Sequence, residues 1–462
     1  MKTKNYPVYK HSSFTGLVGV EQVAITPPVG IYLGNWGAAK SWIAKGIHRP
    51  LMLTCLTFQS SKQEKPLVLI AADLGWWKNL EDERFLRNGI LNALSLDPSQ
   101  LMFSLSHTHA GPGLCRNDIS KPGGEYIEQY LRSIQQTAIH AICKALLNAM
   151  PATLAWHYGA CNLAANRDLP DINQDRFAVG FNPGENADDT LLVGRITNEQ
   201  GNIIATIVNY ACHPTTLGWD NLLISPDYIG AMRETIESAT DAPCLFLQGA
   251  SGELAPAEQY TGDKSIADKH GRQLGYAAMS ALASMLPPDT DLSFNSIIES
   301  GAPLGVWKRT ASHPSKSLLG KMVEVQLPLK ELLSLTEIEN LWKECEDPVL
   351  KERLWRKLNV RKAIGDDDTA SIPLWIWQLG DSLLIGHPNE AYSLFQMELR
   401  KAFPANAVAV MNVVNGHIGY LPPAGLYDKD IYAVWQTPFA KGSLEKLIRA
   451  SIDASEQMMN EK

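Results

Sequence analysis

The chain has no C-x-x-C pair, and its seven cysteines (Cys55, Cys115, Cys143, Cys161, Cys212, Cys244 and Cys345) are odd in number and scattered. That pattern excludes a thiolate zinc site and a disulfide framework, and leaves reduced, mostly buried thiols as the simplest reading. No apolar run is long enough to span a bilayer; the longer ones, such as Pro66 to Ala72 and Val408 to Val414, suit buried strands. The opening MKTKNYPVYKHSSF lacks the apolar core of a signal peptide, so a cytoplasmic protein is expected. No basic cluster stands out and the formal net charge is -8, so nucleic acid is not an expected partner. There is no phosphate-cradling G-x-x-x-x-G-K and no dinucleotide fingerprint. The segment Gly249-Ala250-Ser251-Gly252-Glu253 has Glu253 where a nucleophile elbow needs its second glycine, and reads better as a turn.

What remains is a chain of 462 residues, enough for one large or two ordinary domains, with an apolar content typical of a folded globular protein. Strands are expected at Val18 to Ile25, Met52 to Phe58, Leu67 to Ala72, Met102 to Ser106, Ile203 to Tyr210, Cys244 to Leu247 and Ala407 to Val414. Helical periodicity marks Leu80 to Ser95, Glu125 to Ala149 and Pro226 to Ser238, the last with Asp227 placed to cap its amides. Ala370 to Gly386 reads as a β-hairpin turned at Gly380-Asp381, leading into a loop and an amphipathic helix. The charged stretch Leu335 to Lys362 reads as helix and could be a lid, a dimer face or solvated surface. With no internal repeat and no low-complexity linker, the expected architecture is α/β: a layered α/β or α+β sheet domain over residues 1–462, with a helical insertion at about 330–365.

Four strand ends carry the residues of interest. Ser106-His107-Thr108-His109-Ala110-Gly111-Pro112-Gly113 follows an apolar strand. In an extended segment, residues at i and i+2 project to one side, so His107 and His109 can face one site. They read either as a metal-binding pair or as two surface histidines in a turn. His213, after Ile203 to Tyr210, would alone be a structural histidine; beside the H-x-H pair it is a plausible third imidazole. Glu390, in His387-Pro388-Asn389-Glu390, is either a carboxylate in a first helical turn or a hard oxygen ligand. Tyr420, in Gly416-His417-Ile418-Gly419-Tyr420, has no spacing that marks it as more than a packed loop tyrosine.

These residues, in this order, resemble the N-terminal catalytic domain of the neutral/alkaline non-lysosomal ceramidase family. The resemblance covers most of the chain: Ile25-Thr26-Pro27-Pro28, Gly46-Ile47-His48-Arg49, the His107 to Gly113 string, Asn166-Arg167, His213-Pro214-Thr215, Gly252 to Pro256, Pro388-Asn389-Glu390 and the Tyr420 to Tyr432 block. It implies an amidohydrolase with one Zn2+ held by His107, His213, Glu390 and Tyr420. It implies a catalytic role for His109, and substrate contacts from Arg167 and Tyr432. A small-molecule or lipid-like amide is the implied substrate. The chain departs from the family in carrying Ala255 where a serine is usual and Trp42 where a glutamine is expected, and Tyr432 to Gln436 follows the Y-E-G-A-S pattern only loosely. No C-terminal immunoglobulin-like domain is expected. Those departures keep two alternatives in view: a zinc hydrolase for a soluble, non-lipid amide or ester, and a catalytically silent ligand-binding homologue.

Overall fold

The computed structural model describes residue 6 and residues 8–460, with residues 348 and 349 through their backbone only. Strands β1 (Ser13–Ala24), β2 (Met52–Gln59), β3 (Leu67–Ala72), β4 (Leu101–Leu105), β5 (Met150–Ala160), β6 (Thr190–Asn198), β7 (Ile203–Tyr210) and β8 (Cys244–Gln248) form an eight-stranded sheet. Its order is β8-β7-β6-β5-β1-β2-β3-β4. The interior pairs are antiparallel, whereas the pair at each edge, β3 with β4 and β7 with β8, is parallel. A second, four-stranded sheet runs β9 (Leu318–Pro328), β10 (Thr369–Leu379), β11 (Ser382–Gly386) and β12 (Ala407–Met411), and here β11 and β12 are parallel.

The two sheets pack face to face, and the strand pleat explains why their sequences are apolar at nearly every position. In β3, Leu67, Leu69 and Ala71 join a core with Trp375, Trp377 and Leu384 of the second sheet. The alternate residues Val68, Ile70 and Ala72 face helices instead. Strands buried on both sides read as continuous hydrophobic runs rather than alternating ones. Helices α1 (Leu80–Leu94) and α2 (Ile127–Leu147) cover one half of the large sheet's outer face, and α3 (Tyr228–Thr240) and α4 (Lys264–Ser284) the other. After the insertion helices α5 (Leu335–Glu344) and α6 (Pro348–Ile364), α7 (Leu394–Ala402) and, beyond the short α8 (Tyr432–Gln436), α9 (Ser443–Asn460) cover the small sheet. The expected α/β class holds, as a four-layer helix–sheet–sheet–helix stack. Among the described residues no helix is long and apolar enough to cross a membrane, and no disulfide forms.

Two expectations change. The charged stretch at 335–362 is two helices. Ser334 and Glu337 close a capping box on α5, Cys345 is extended, and Asp347 accepts from the Leu350 amide to begin α6. Chain turns capped from both sides cost less than forcing a strained turn through a helix. A hairpin of Thr290–Glu299 with Pro303–Ala311 was not evident, because most of its residues stay exposed and no buried face imposes a period.

The parallel pairs position the site. In each, both strands end on one side, and the loops that follow β4, β7, β8, β11 and β12 carry His107 and His109, His213, Glu253, Glu390, and Tyr420 respectively. Asparagines tie the sheets together there. Asn209 Nδ2 donates to Leu247 O (3.0 Å) and Val410 O (2.8 Å), and Asn415 Nδ2 donates to Leu101 O (2.7 Å) while its Oδ1 accepts from Phe103 N (2.8 Å).

Candidate metal centre

His107, His213 and Glu390 are buried, and their ligand atoms lie within 4.8 Å of one another. His213 Nδ1 sits 2.7 Å from Ser251 O and 3.1 Å from Leu254 O. Carbonyl oxygens only accept, so Nδ1 carries the proton and the Nε2 lone pair points inward, 2.9 Å from Glu390 Oε2. His107 repeats the arrangement, with Nδ1 3.2 Å from Gly75 O and Nε2 3.3 Å from the same carboxylate oxygen. Two nitrogen lone pairs converging on a carboxylate oxygen repel one another; a cation among them turns the repulsion into coordination. Carbonyl partners on the outer nitrogens are the usual support of metal-ligating histidines. The residues present therefore fit a divalent metal ion.

His107 reaches this position with φ +67°, the left-handed region, and not from an extended segment. The expectation that the H-x-H pair shares a side through strand alternation is corrected. The rings do meet, 5.1 Å apart and nearly perpendicular, but through a backbone turn. Tyr260 (φ +63°) and Val413 (φ +55°) are also left-handed. For a β-branched residue such as Val413 this conformation is a true outlier, and strain of this kind clusters at functional sites. Glu390 lies in a short strand, Asn389–Ala391, paired with Gly419–Leu421, so the helical-turn reading of this carboxylate is also set aside.

The same ladder places Glu390 opposite Tyr420. Arg167 Nη2 donates to the Tyr420 hydroxyl (3.1 Å) and to Gly252 O (2.8 Å), and lies 3.2 Å from His213 Nε2. Burial and the Glu390 charge hold the Tyr420 phenol well above its ordinary value, with Arg167 opposing. His213 is lowered to about 3 by burial and by Arg167. His109 is neutral for the same first reason, reinforced by His107 and His213. Among the described residues neither His109 ring nitrogen has a partner, and the ring is held between Trp36 (4.9 Å) and Trp76 (4.7 Å).

A cavity of about 280 Å³ opens onto this centre, lined by His107, His109, Arg167, Glu390, Tyr420 and Tyr432 among others. All seven residues expected from the sequence thus gather at one place, with His213 just behind the wall. Tyr432 heads α8, its ring 5.5 Å from Tyr420. Ala255 is buried in a short strand opposite Ala165, away from the cavity lining, and Trp42 lies outside it as well. Sequence reasoning missed His417, whose Nε2 is 2.7 Å from Glu390 Oε1. Its only signal is its place three residues before Tyr420. It also missed Trp76, which, like the histidines, follows an apolar strand end.

A layered α/β fold thus brings a buried His-His-Glu group that could hold a metal ion to the wall of a cavity. The chain has the fold of a neutral ceramidase. Its structure matches that of "neutral ceramidase from Pseudomonas aeruginosa" with a TM-score of 0.69 at 16% identity, over 97% of this chain and 75% of that one. It matches a "ceramidase complexed with C2" with a TM-score of 0.65 at 14% identity, over 98% of this chain and 76% of the other. No protein-family model and no curated protein matches the sequence.

Proposed function

We propose that the protein is a zinc-dependent hydrolase that cleaves an amide bond with an activated water. The observation that carries this reading is the convergence of two tautomer-fixed imidazoles and one carboxylate beside the cavity. Nitrogen and oxygen donors in this number suit zinc, and the neighbouring Tyr420 hydroxyl is a fourth candidate ligand. Bound there, the ion would supply a lowered pKa for water, to about 7, and polarisation of the carbonyl under attack.

The remaining work belongs to the chain. His109 is neutral, buried, unpartnered and beside the centre, so it can accept the water's proton and return it to the leaving amine. Arg167 stays cationic although buried, because Tyr420, Tyr260 and Glu390 face it, and it presents that charge where an oxyanion would develop. Tyr432 contributes a phenol to the cavity wall for the substrate's polar end. The fold shared with ceramidases supports an N-acyl amide as the substrate bond. The test is amine release from N-acyl amides by protein stripped with a chelator and reloaded with zinc. Activity should vanish and return, and full activity in the metal-free protein would sink the mechanism.

A further inference from the structure

Helix α6 was legible in the sequence as part of a charged helical segment of open role. In the fold, Trp355, Arg356, Asn359, Val360 and Ala363 line the cavity. Their spacing of one, four, five and eight residues is a single helical face. The insertion therefore forms part of the wall of the cavity that holds the metal centre. We infer that this wall makes the site selective for a compact, hydroxyl-rich N-acyl compound of the N-acylated amino-sugar class, rather than for a long-chain lipid amide.

Three observations carry this. The cavity of about 280 Å³ falls at the small end of ligand pockets, which run from roughly 300 to 1,000 Å³. Its aliphatic lining is slight (Leu80, Val179, Val360 and Ala363), whereas Trp36, Trp76, Tyr260 and Trp355 present flat aromatic surfaces. Long acyl chains call for continuous aliphatic walls, while the C–H faces of a sugar ring stack on indoles. Finally, three side-chain amides in the lining spend their N–H groups on the protein, two of them on carbonyls. Asn35 Nδ2 donates to Gly111 O (2.9 Å), Asn359 Nδ2 to Trp355 O (2.9 Å) and Gln436 Nε2 to the Tyr432 hydroxyl (3.1 Å). The carbonyl partners fix the amide orientation of Asn35 and Asn359, and among the described residues no protein group donates to their amide oxygens. Amide oxygens left free of protein donors, on residues that line an aromatic cavity, suit the hydroxyl donors of a polyol ring.

The reaction in this inference rests on the hydrolase reading; the binding does not. The experiment uses the zinc-loaded full chain with N-acetyl-D-glucosamine, N-acetyl-D-galactosamine and N-acetylsphingosine, following amine release and, by calorimetry, binding. At least one amino sugar should be cleaved in preference to the lipid amide. Trp355→Ala and Asn359→Leu should each raise its KM by about ten-fold with kcat little changed and zinc content intact, and Trp355→Phe should restore most of the loss. Cleavage of the lipid amide with no binding of either sugar overturns the inference and leaves the hydrolase reading standing. Sugar binding that both variants weaken, without turnover of any compound, supports the inference and overturns the hydrolase reading. Comparable kcat/KM for lipid and sugar, or binding of neither sugar, overturns the inference.

Discussion

Glu390 meets three imidazoles, those of His107, His213 and His417, and a phenol. His107→Ala and His213→Ala should purify without zinc, as read by elemental analysis. His109→Ala should retain zinc and lose turnover by about 10²- to 10⁴-fold, the usual range for a lost acid–base group. His417→Gln should keep the ion but bind it about 10- to 100-fold more weakly, as expected when an outer partner of a ligand is altered. Glu253 behaves differently. It is buried and accepts from the Ser393 amide and hydroxyl, yet burial dominates and raises its carboxyl to about 7. A carboxyl whose folded pKa lies above its unfolded value favours the fold fully below about 4.5, and that contribution is lost as pH rises through about 7. Thermal stability of the wild type should therefore fall more steeply between pH 5 and 8 than that of Glu253→Gln. Parallel melting curves for the two would exclude this role. His107, His213 and Glu390 were legible because each follows an apolar strand within a few residues, so primary structure alone located them near a sheet rim. His417 and Trp76 were not, since nothing local separates a loop histidine that meets Glu390 from one that meets water.

Among the elements, the β10–β11 hairpin was readable from its turn residues. Gly380 has φ +59°, and a Cβ there would lie 1.9 Å from Ser13 O. Gly380→Ala should consequently destabilise the protein by about 1–3 kcal/mol or more, combining positive-φ strain with displacement of β1, and chemical denaturation would measure it. The pairing of two sheets was less readable. Sequence periodicity reports that β3 and β12 are buried on both faces but not what buries each, and helix and sheet neighbours leave the same apolar signature. The role of α6 was hidden for a related reason: a helix facing a polar, aromatic cavity carries nearly the same residue mix as one facing solvent.

At the scale of the whole molecule, the centre draws His107 and His213 from loops of the large sheet and Glu390 and Tyr420 from loops of the small one. A bound ion would clamp the two sheets as well as serve chemistry. Zinc at a hundred-fold excess over its Kd should add about 2.7 kcal/mol to stability, visible as a raised Tm in scanning calorimetry and reversed by chelator. A Tm indifferent to zinc would argue that the ion does not bind here.

The asparagine ties and the separation of His213 from Glu390 by 177 residues have one more consequence. During synthesis, the first half of the chain emerges with two imidazoles and no carboxylate to complete them. Closing so long a loop is entropically slow and must precede any capture of the ion. If the centre holds a metal ion, its uptake would therefore follow the docking of the two halves of the chain.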